Sequence, residues 1–172
     1  MEFVEKMYND NKEILDFLST QNEISYKVDL DSKLKKIILM SSASYFESQM
    51  TELIESFVVI VTANNIALVS FVRNKAINRQ YHTLFDWKSN NINGFLGLFG
   101  LDFKKEAIAD INASEKLKSA VTSFLLIGSE RNKLVHINFA TFLIDLTSDE
   151  IIEHHRNALL LIDYLKKKLS VF

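Results

Sequence analysis

The chain has no proline at all, and three of its four glycines crowd into one short stretch, at positions 94, 97 and 100. Proline interrupts a helix because it lacks the N–H and clashes with the preceding turn, and glycine weakens one through its backbone freedom. A 172-residue chain almost free of both is directed toward long helices joined by polar turns. Apolar residues make up 48% of it, enough for a sizeable core, and the length favours one domain over residues 1–172. There is no cysteine, which excludes a disulfide framework or a thiolate metal site and fits a reducing compartment.

The opening stretch MEFVEKMYNDNKE lacks the basic and then apolar segments of a secretory signal, so a cytoplasmic protein is expected. Ser56–Val72 carries no charge, but it is shorter than the ~20 apolar residues a membrane span needs, and Asn64–Asn65 splits it. It reads as two buried helices meeting at a polar corner, with no membrane partner.

Periodicity places the helices. Val4, Met7, Tyr8, Ile14, Leu15 and Leu18 share one face of a helix over 4–18. A polar connector follows, and the longest pattern runs over 31–63, capped by Asp31 or Ser32. Its stripe (Leu39, Ala43, Phe46, Met50, Ile54, Phe57, Val61) steps by three and four, as a central bundle helix requires. A third helix is expected over 66–78. The segment RQYHTLFDWKSNNINGFLGLFGL, 79–101, reads as a loop, a short helix near Asn91–Phe99 and a turn at Gly100, with further helical turns over Asp102–Ile111. Asn112 with Glu115 resembles a capping box opening a helix to about 137. Thr147 with Glu150 forms a better one, opening a last helix to about 169 whose Lys166–Lys168 suits its C-terminal dipole. The fold expected is all-α: a bundle of four to five long helices plus short ones.

A net charge of −2 excludes polyanion binding by bulk charge. The charge is uneven, however. Arg73, Lys75, Arg79 and Lys88 face only Asp86 within 66–100, so that region is either a basic patch or an ordinary solvated face.

The chemistry concentrates in SERNKLVHINF, 129–139. On the helix expected there, Leu117, Val121, Phe124 and Gly128 form an apolar face that Arg131 and Val135 continue. His136 lies about 140° from Arg131 and shares a face with Asn132. Gly128 is expected to leave an open spot beside this polar edge. A charge on an apolar stripe needs a partner. Glu47, at the border of the long central helix, could supply it as a purely structural ion pair; alternatively the arginine is held for an external anion. A guanidinium is a planar fork that fits a phosphate bidentately and can stabilise its transition-state charge. A histidine, with an ordinary pKa near ~6.5, gives and takes protons near neutrality. Asn132 could bind the phosphate or orient His136.

RNKLVH, Arg131–His136, resembles the R-x4–6-H signature of the HEPN superfamily, including the asparagine that commonly follows the arginine. The upstream RQYHTLFDW and NINGFLGLFG and the downstream NFATF resemble the RiboL-PSP-type branch, over roughly residues 35–165. The resemblance implies an all-α bundle and a metal-independent endoribonuclease in which the RNA 2′-hydroxyl attacks the adjacent phosphate, leaving 2′,3′-cyclic phosphate and 5′-hydroxyl ends. It implies two motifs meeting across a homodimer interface, with no cofactor. It also implies a toxin or phage-defence effector with RNA as its partner and an antitoxin or second protein as its control. Arg131 and His136 are then the core site, with Asn132 and Glu47 of second rank. Asn138 stands where a paired toxin of this superfamily often carries a tyrosine, which argues against control through that residue. Some HEPN domains are non-catalytic, so a helical module for RNA or nucleotide binding, or for dimerisation with a partner protein, is the alternative.

Other candidates carry less. His154 and His155 project about 100° apart, poor geometry for one metal ion; His155 is expected at the core edge and His154 in solvent. Tyr81, His82, Phe85 and Trp87 are expected to pack a loop against the bundle, or else to stack on unpaired bases. The chain has no nucleotide-binding glycine loop and no H-E-x-x-H motif.

Overall fold

The computed structural model describes residues 2–137 and 141–171. They form seven α-helices and, among the described residues, no strand. The helices are α1 (Glu2–Thr20), α2 (Ile24–Val61), α3 (Ile66–Val72), α4 (Asn93–Gly97), α5 (Leu101–Ala113), α6 (Glu115–His136) and α7 (Ser148–Ser170). Five of these are long, as the scarcity of breakers dictates.

The turns sit where the chain can reverse cheaply. Asn22, at φ 60°, closes a three-residue link between α1 and α2. Asparagine tolerates this left-handed region better than most residues. Helix α2 therefore begins at Ile24, and Asp31 is a mid-helix residue whose carboxylate accepts from Ser148 Oγ at 2.9 Å. The expected cap at 31–32 is thus wrong, because the polar residues of 24–33 lie on a solvent face of one continuous helix. At the other end, Ala63 and Asn64 are left-handed and Asn65 caps α3, its Oδ1 accepting from the Leu68 N–H at 3.1 Å. The polar corner is as expected, but the helix ends flanking it are only partly buried: Val58 and Val69 are buried, while Val61, Ile66, Leu68 and Phe71 are exposed. Among the described residues no helix is long and apolar enough to cross a membrane. Helix α3 stops at Val72, and one wide π-turn, Arg73–Ile77, replaces its expected last turn.

Helix α2 is the spine. Lys166 Nζ donates to Gln49 Oε1 at 2.6 Å, and Ser148 meets Asp31, so α2 and α7 run parallel. Helix α1 lies antiparallel to α7. Tyr8 Oη and Lys12 Nζ both donate to Asp149, at 2.6 and 2.9 Å, while Arg156 pairs with Glu5 at 2.7 Å. Helix α5 is tied to α7 by Asp110, which accepts from Tyr164 Oη and Lys168 Nζ at 2.8 and 3.0 Å. Phe46, Met50, Phe103, Phe124, Ile127, Leu134 and Ile151 are fully buried where the long helices meet. Each such side chain contributes about 1.5–3 kcal/mol through burial.

Both α6 and α7 start as a capped helix should. For α7, Thr147 and Glu150 satisfy each other's backbone N–H groups in a full capping box. For α6 the cap is Ser114, whose Oγ accepts from the Leu117 N–H at 3.3 Å, so Asn112 belongs to the end of α5.

Candidate functional site

The motif occupies the last two turns of α6. The buried line of this helix runs Ala120, Phe124, Ile127, Leu134, and Arg131 falls on it between the last two. That is why Arg131 is half-buried. Leu134, not Val135, carries the core in the final turn, and Val135 is exposed. His136 ends the helix in solvent, on the same side as Asn132.

Arg131 does not pair with Glu47. Its Nη1 donates to the neighbouring Asn132 Oδ1 at 3.1 Å, and no carboxylate among the described residues forms an ion pair with it. The acid one residue before it, Glu130, is taken by Lys133 at 2.5 Å. Glu47 is half-buried on α2 and likewise has no ion pair among the described residues. The two charges do share a neighbourhood, and Tyr81 marks it. Burial pushes the Tyr81 hydroxyl well above its ordinary range; the Glu47 carboxylate adds to that rise and the Arg131 guanidinium opposes it. Tyr81 is buried on the 3₁₀ turn Tyr81–Thr83, and its hydroxyl makes no hydrogen bond among the described residues. Arg131, Asn132, Glu47 and Tyr81 thus converge from α6, α2 and the aromatic loop, with His136 about 140° around the helix from Arg131. No spacing rule points to Tyr81, which lies far from both partners in sequence.

The aromatic segment holds this arrangement. Tyr81, Phe85 and Trp87 pack on one another, and Phe85 and Trp87 pack on Phe124 of α6, with ring centroids 4.9–5.9 Å apart. Trp87 Nε1 donates to the His82 carbonyl at 3.0 Å. The expected open spot at Gly128 does not exist: the Trp87 ring fills it, so close that a Cβ there would lie 2.0 Å from the ring. The loop-packing expectation holds for these residues, while His82 itself is exposed.

The remaining candidates separate cleanly. His155 is fully buried, beyond the expected core edge, and stacks on Phe46 at 5.2 Å. His154 is not free in solvent: it is half-buried, and its Nδ1 lies 3.0 Å from the buried Ser123 hydroxyl. Among the described residues no group of three or more acidic or histidine side chains is placed to hold a metal ion. On the basic stretch Arg73 is ion-paired to Glu55, whereas Lys75, Arg79 and Lys88 are exposed. Asn138 lies outside the described residues.

The all-α bundle, with Arg131 and, five residues on, the solvent-facing His136 near the end of a late helix, is consistent with a HEPN-like fold. The RiboL-PSP-HEPN family model matches residues 5–171, and the chain belongs to that family. No curated protein and no solved structure matches it.

Proposed function

We propose that the chain is a metal-independent endoribonuclease acting through Arg131, Asn132 and His136 at a homodimer interface. One observation carries this reading: Arg131 sits on the buried line of α6 with no carboxylate partner, so its fork of donors is held in place for an external anion. The anion is an RNA phosphate. The ribose 2′-oxygen attacks that phosphorus, forming the P–O2′ bond as the P–O5′ bond breaks. His136 moves the proton, taking it from the 2′-hydroxyl or giving it to the departing 5′-oxygen, while Arg131 stabilises charge on the equatorial oxygens. The products carry 2′,3′-cyclic phosphate and 5′-hydroxyl ends.

Within one protomer Arg131 and His136 diverge around the helix, which disfavours both acting on one phosphate. A twofold mate solves this, since an isologous interface brings two motifs together. The surroundings suit such an interface: Val135 and Ile137, on either side of His136 in the chain, are each half exposed. In the cell this activity makes a toxin or phage-defence effector, restrained by an antitoxin or triggered by a second protein.

The test is cleavage of a mixed RNA pool in EDTA by wild type and by His136→Ala, with the ends of the fragments mapped. Cleavage by wild type alone, with cyclic phosphate ends, supports the reading. A dimer that binds RNA and never cuts it returns the chain to the class of non-catalytic HEPN modules.

A further inference from the structure

The two ends of α2 are opposite in charge, and each carries exposed apolar side chains. Residues 2–31, which span α1 and the start of α2, hold eight acids against three lysines. No acid occurs between Glu55 and Asp86, a stretch that holds Arg73, Lys75 and Arg79 and takes in the end of α2, all of α3 and the π-turn. At about 1.5 Å per residue, the 38 residues of α2 make it roughly 57 Å long. One molecule therefore cannot join its own two ends.

The basic end is a ridge. Ile60, Val61, Ile66, Leu68 and Phe71 are each at least half exposed around the α2–α3 corner, and a cluster of this kind marks a contact surface. Leu68, Phe71 and Lys75 step by three and four along α3 and the π-turn, so they stand in one outward line. Lys75, like Arg79, is exposed and forms no ion pair among the described residues, whereas Arg73 is held by Glu55.

The acidic end is a hollow. A groove of about 400 Å³ opens between the end of α1, the start of α2 and the start of α7, and no residue of the 131–136 motif lines it. Leu15, Ile24 and Val28 give it an apolar floor, and Ile24 and Val28 are more than half exposed. Two of its carboxylates are already engaged. Asp31 accepts from Ser148 and pairs with Lys35, and Asp149 accepts from Tyr8 and Lys12. Lys27 is turned to the Ser19 hydroxyl, at 3.1 Å. Asp16 is exposed and forms no ion pair among the described residues; Lys12, the cation that feels its charge, is held by Asp149. Glu13 and Glu23, also exposed on this hairpin, form none either. The groove thus offers an apolar floor with a free carboxylate at its edge. The ridge offers two apolar side chains with a free ammonium one turn on. Each end is the complement of the other in shape, polarity and charge.

We infer that the chain self-associates head to tail, the Leu68–Phe71–Lys75 ridge of one copy seating in the α1–α2–α7 groove of the next, with Lys75 meeting Asp16. The contact is heterologous, so a joined pair still presents one free ridge and one free groove, and copies add in series. It uses no residue of the motif and is independent of the nuclease reading.

The experiment is sedimentation velocity of the full chain across a concentration series at low ionic strength. Mass is expected to rise with concentration past that of a dimer, and added salt is expected to reverse the rise, because exposed charges are screened beyond about 10 Å at 0.1 M. Phe71 is exposed, so Phe71→Asp is expected to keep the wild-type melting temperature while growth stops at a dimer or below. Lys75→Glu and Asp16→Lys each set like charges across the contact, and each is expected to weaken association at least about tenfold. Mixed one to one, these two variants offer every ridge an oppositely charged groove, and growth is expected to return. Leu101→Asp, at the exposed start of α5 and outside both surfaces, is the control and is expected to assemble as wild type does. A wild type that never exceeds a dimer, a Phe71→Asp variant that assembles like wild type, or a mixture no larger than its two components overturns the inference. The nuclease reading stands or falls separately, on RNA cleavage.

Discussion

Gly128 and Trp87 compete for one space: the indole lies where the first atom of any side chain at 128 would be, 2.0 Å from an ideal Cβ. The contact clamps the aromatic loop onto α6 one turn before Arg131. Gly128→Ala should therefore destabilise the protein by about 1–3 kcal/mol, the usual range for overpacking a filled core site, although alanine favours helices. Trp87 is the only tryptophan, so its fluorescence reports the displacement directly. Gly94, with nothing within 4 Å of its Cβ position, is the control, and Gly94→Ala should be neutral or slightly stabilising. Equal behaviour of the two variants would show that the clamp is not real.

Arg131 and Glu47 should behave as independent residues in folding and as partners only in function. With no ion pair between them, Glu47→Gln should change stability by no more than about 0.5 kcal/mol. A double-mutant cycle with Arg131→Ala should give a coupling near zero. A coupling above about 1 kcal/mol would restore the structural pair that sequence pattern leaves open. In RNA cleavage, Arg131→Ala should cost on the order of 10²–10³ in rate, the size of a lost transition-state donor. Arg131→Lys should recover only part of it, because a point charge lacks the fork. Tyr81→Phe removes the hydroxyl that lies under the influence of both charges. It should lower kcat more than it raises KM, while Tm is unchanged.

Features set by residues close together in the chain are legible in the sequence. The lack of proline and the three-and-four stepping define the all-α class, the long central helix and the position of α7, whereas the helix expected over 66–78 ends at Val72 and the few turns expected after Gly100 extend to a full helix, α5. The RNKLVH run marks the candidate site for the same reason. Gly128, by contrast, reads as a gap until the loop containing Trp87 folds onto it. Glu47 reads as the natural partner of Arg131, but Asn132 takes the contact. The start of α2 is misplaced by pattern because residues 24–33 are polar on a solvent face and so mimic a linker. Tyr81 reads from the sequence only as a loop-packing aromatic; its place near Glu47 and Arg131 is not legible, since only tertiary packing brings the three segments together.

The cap of α6 offers a compact test of assignment by hydrogen bond over assignment by pattern. Asn112 and Glu115 fit the spacing of a capping box, but Ser114 Oγ holds the Leu117 N–H. Ser114→Ala should cost about 1 kcal/mol, the usual effect of losing a side-chain cap, and Asn112→Ala far less. Thr147→Ala should match the first, since Thr147 anchors the box of α7. Urea midpoints of the three variants decide it, and a larger loss at 112 than at 114 would move the cap back.

His155 gives the fold its own acid sensitivity. The ring is fully buried, stacked on Phe46 and beside Tyr45 of α2, and neither nitrogen has a hydrogen-bond partner among the described residues. Burial drives its pKa from 6.5 down to about 4; Glu5 on α1 pulls it up and the adjacent Arg156 pushes it further down. The unfolded chain therefore binds a proton that the folded one refuses between those two values. Stability is full above about 6.5, falls as the pH drops, and has lost about 3 kcal/mol near pH 4 at ~1.36 kcal/mol per unit. Carboxylates held low by partners, such as Asp149 beside Tyr8 and Lys12 and Asp110 beside Lys168 and Tyr164, contribute stability that is lost only at lower pH. His155→Leu removes both the titration and two orphaned polar atoms. Its urea midpoint should be higher than that of wild type at pH 7.5, and the gap should widen at pH 5. A wild type whose midpoint is flat between those pH values, or a variant that falls in parallel with it, would show that His155 is not the group that titrates.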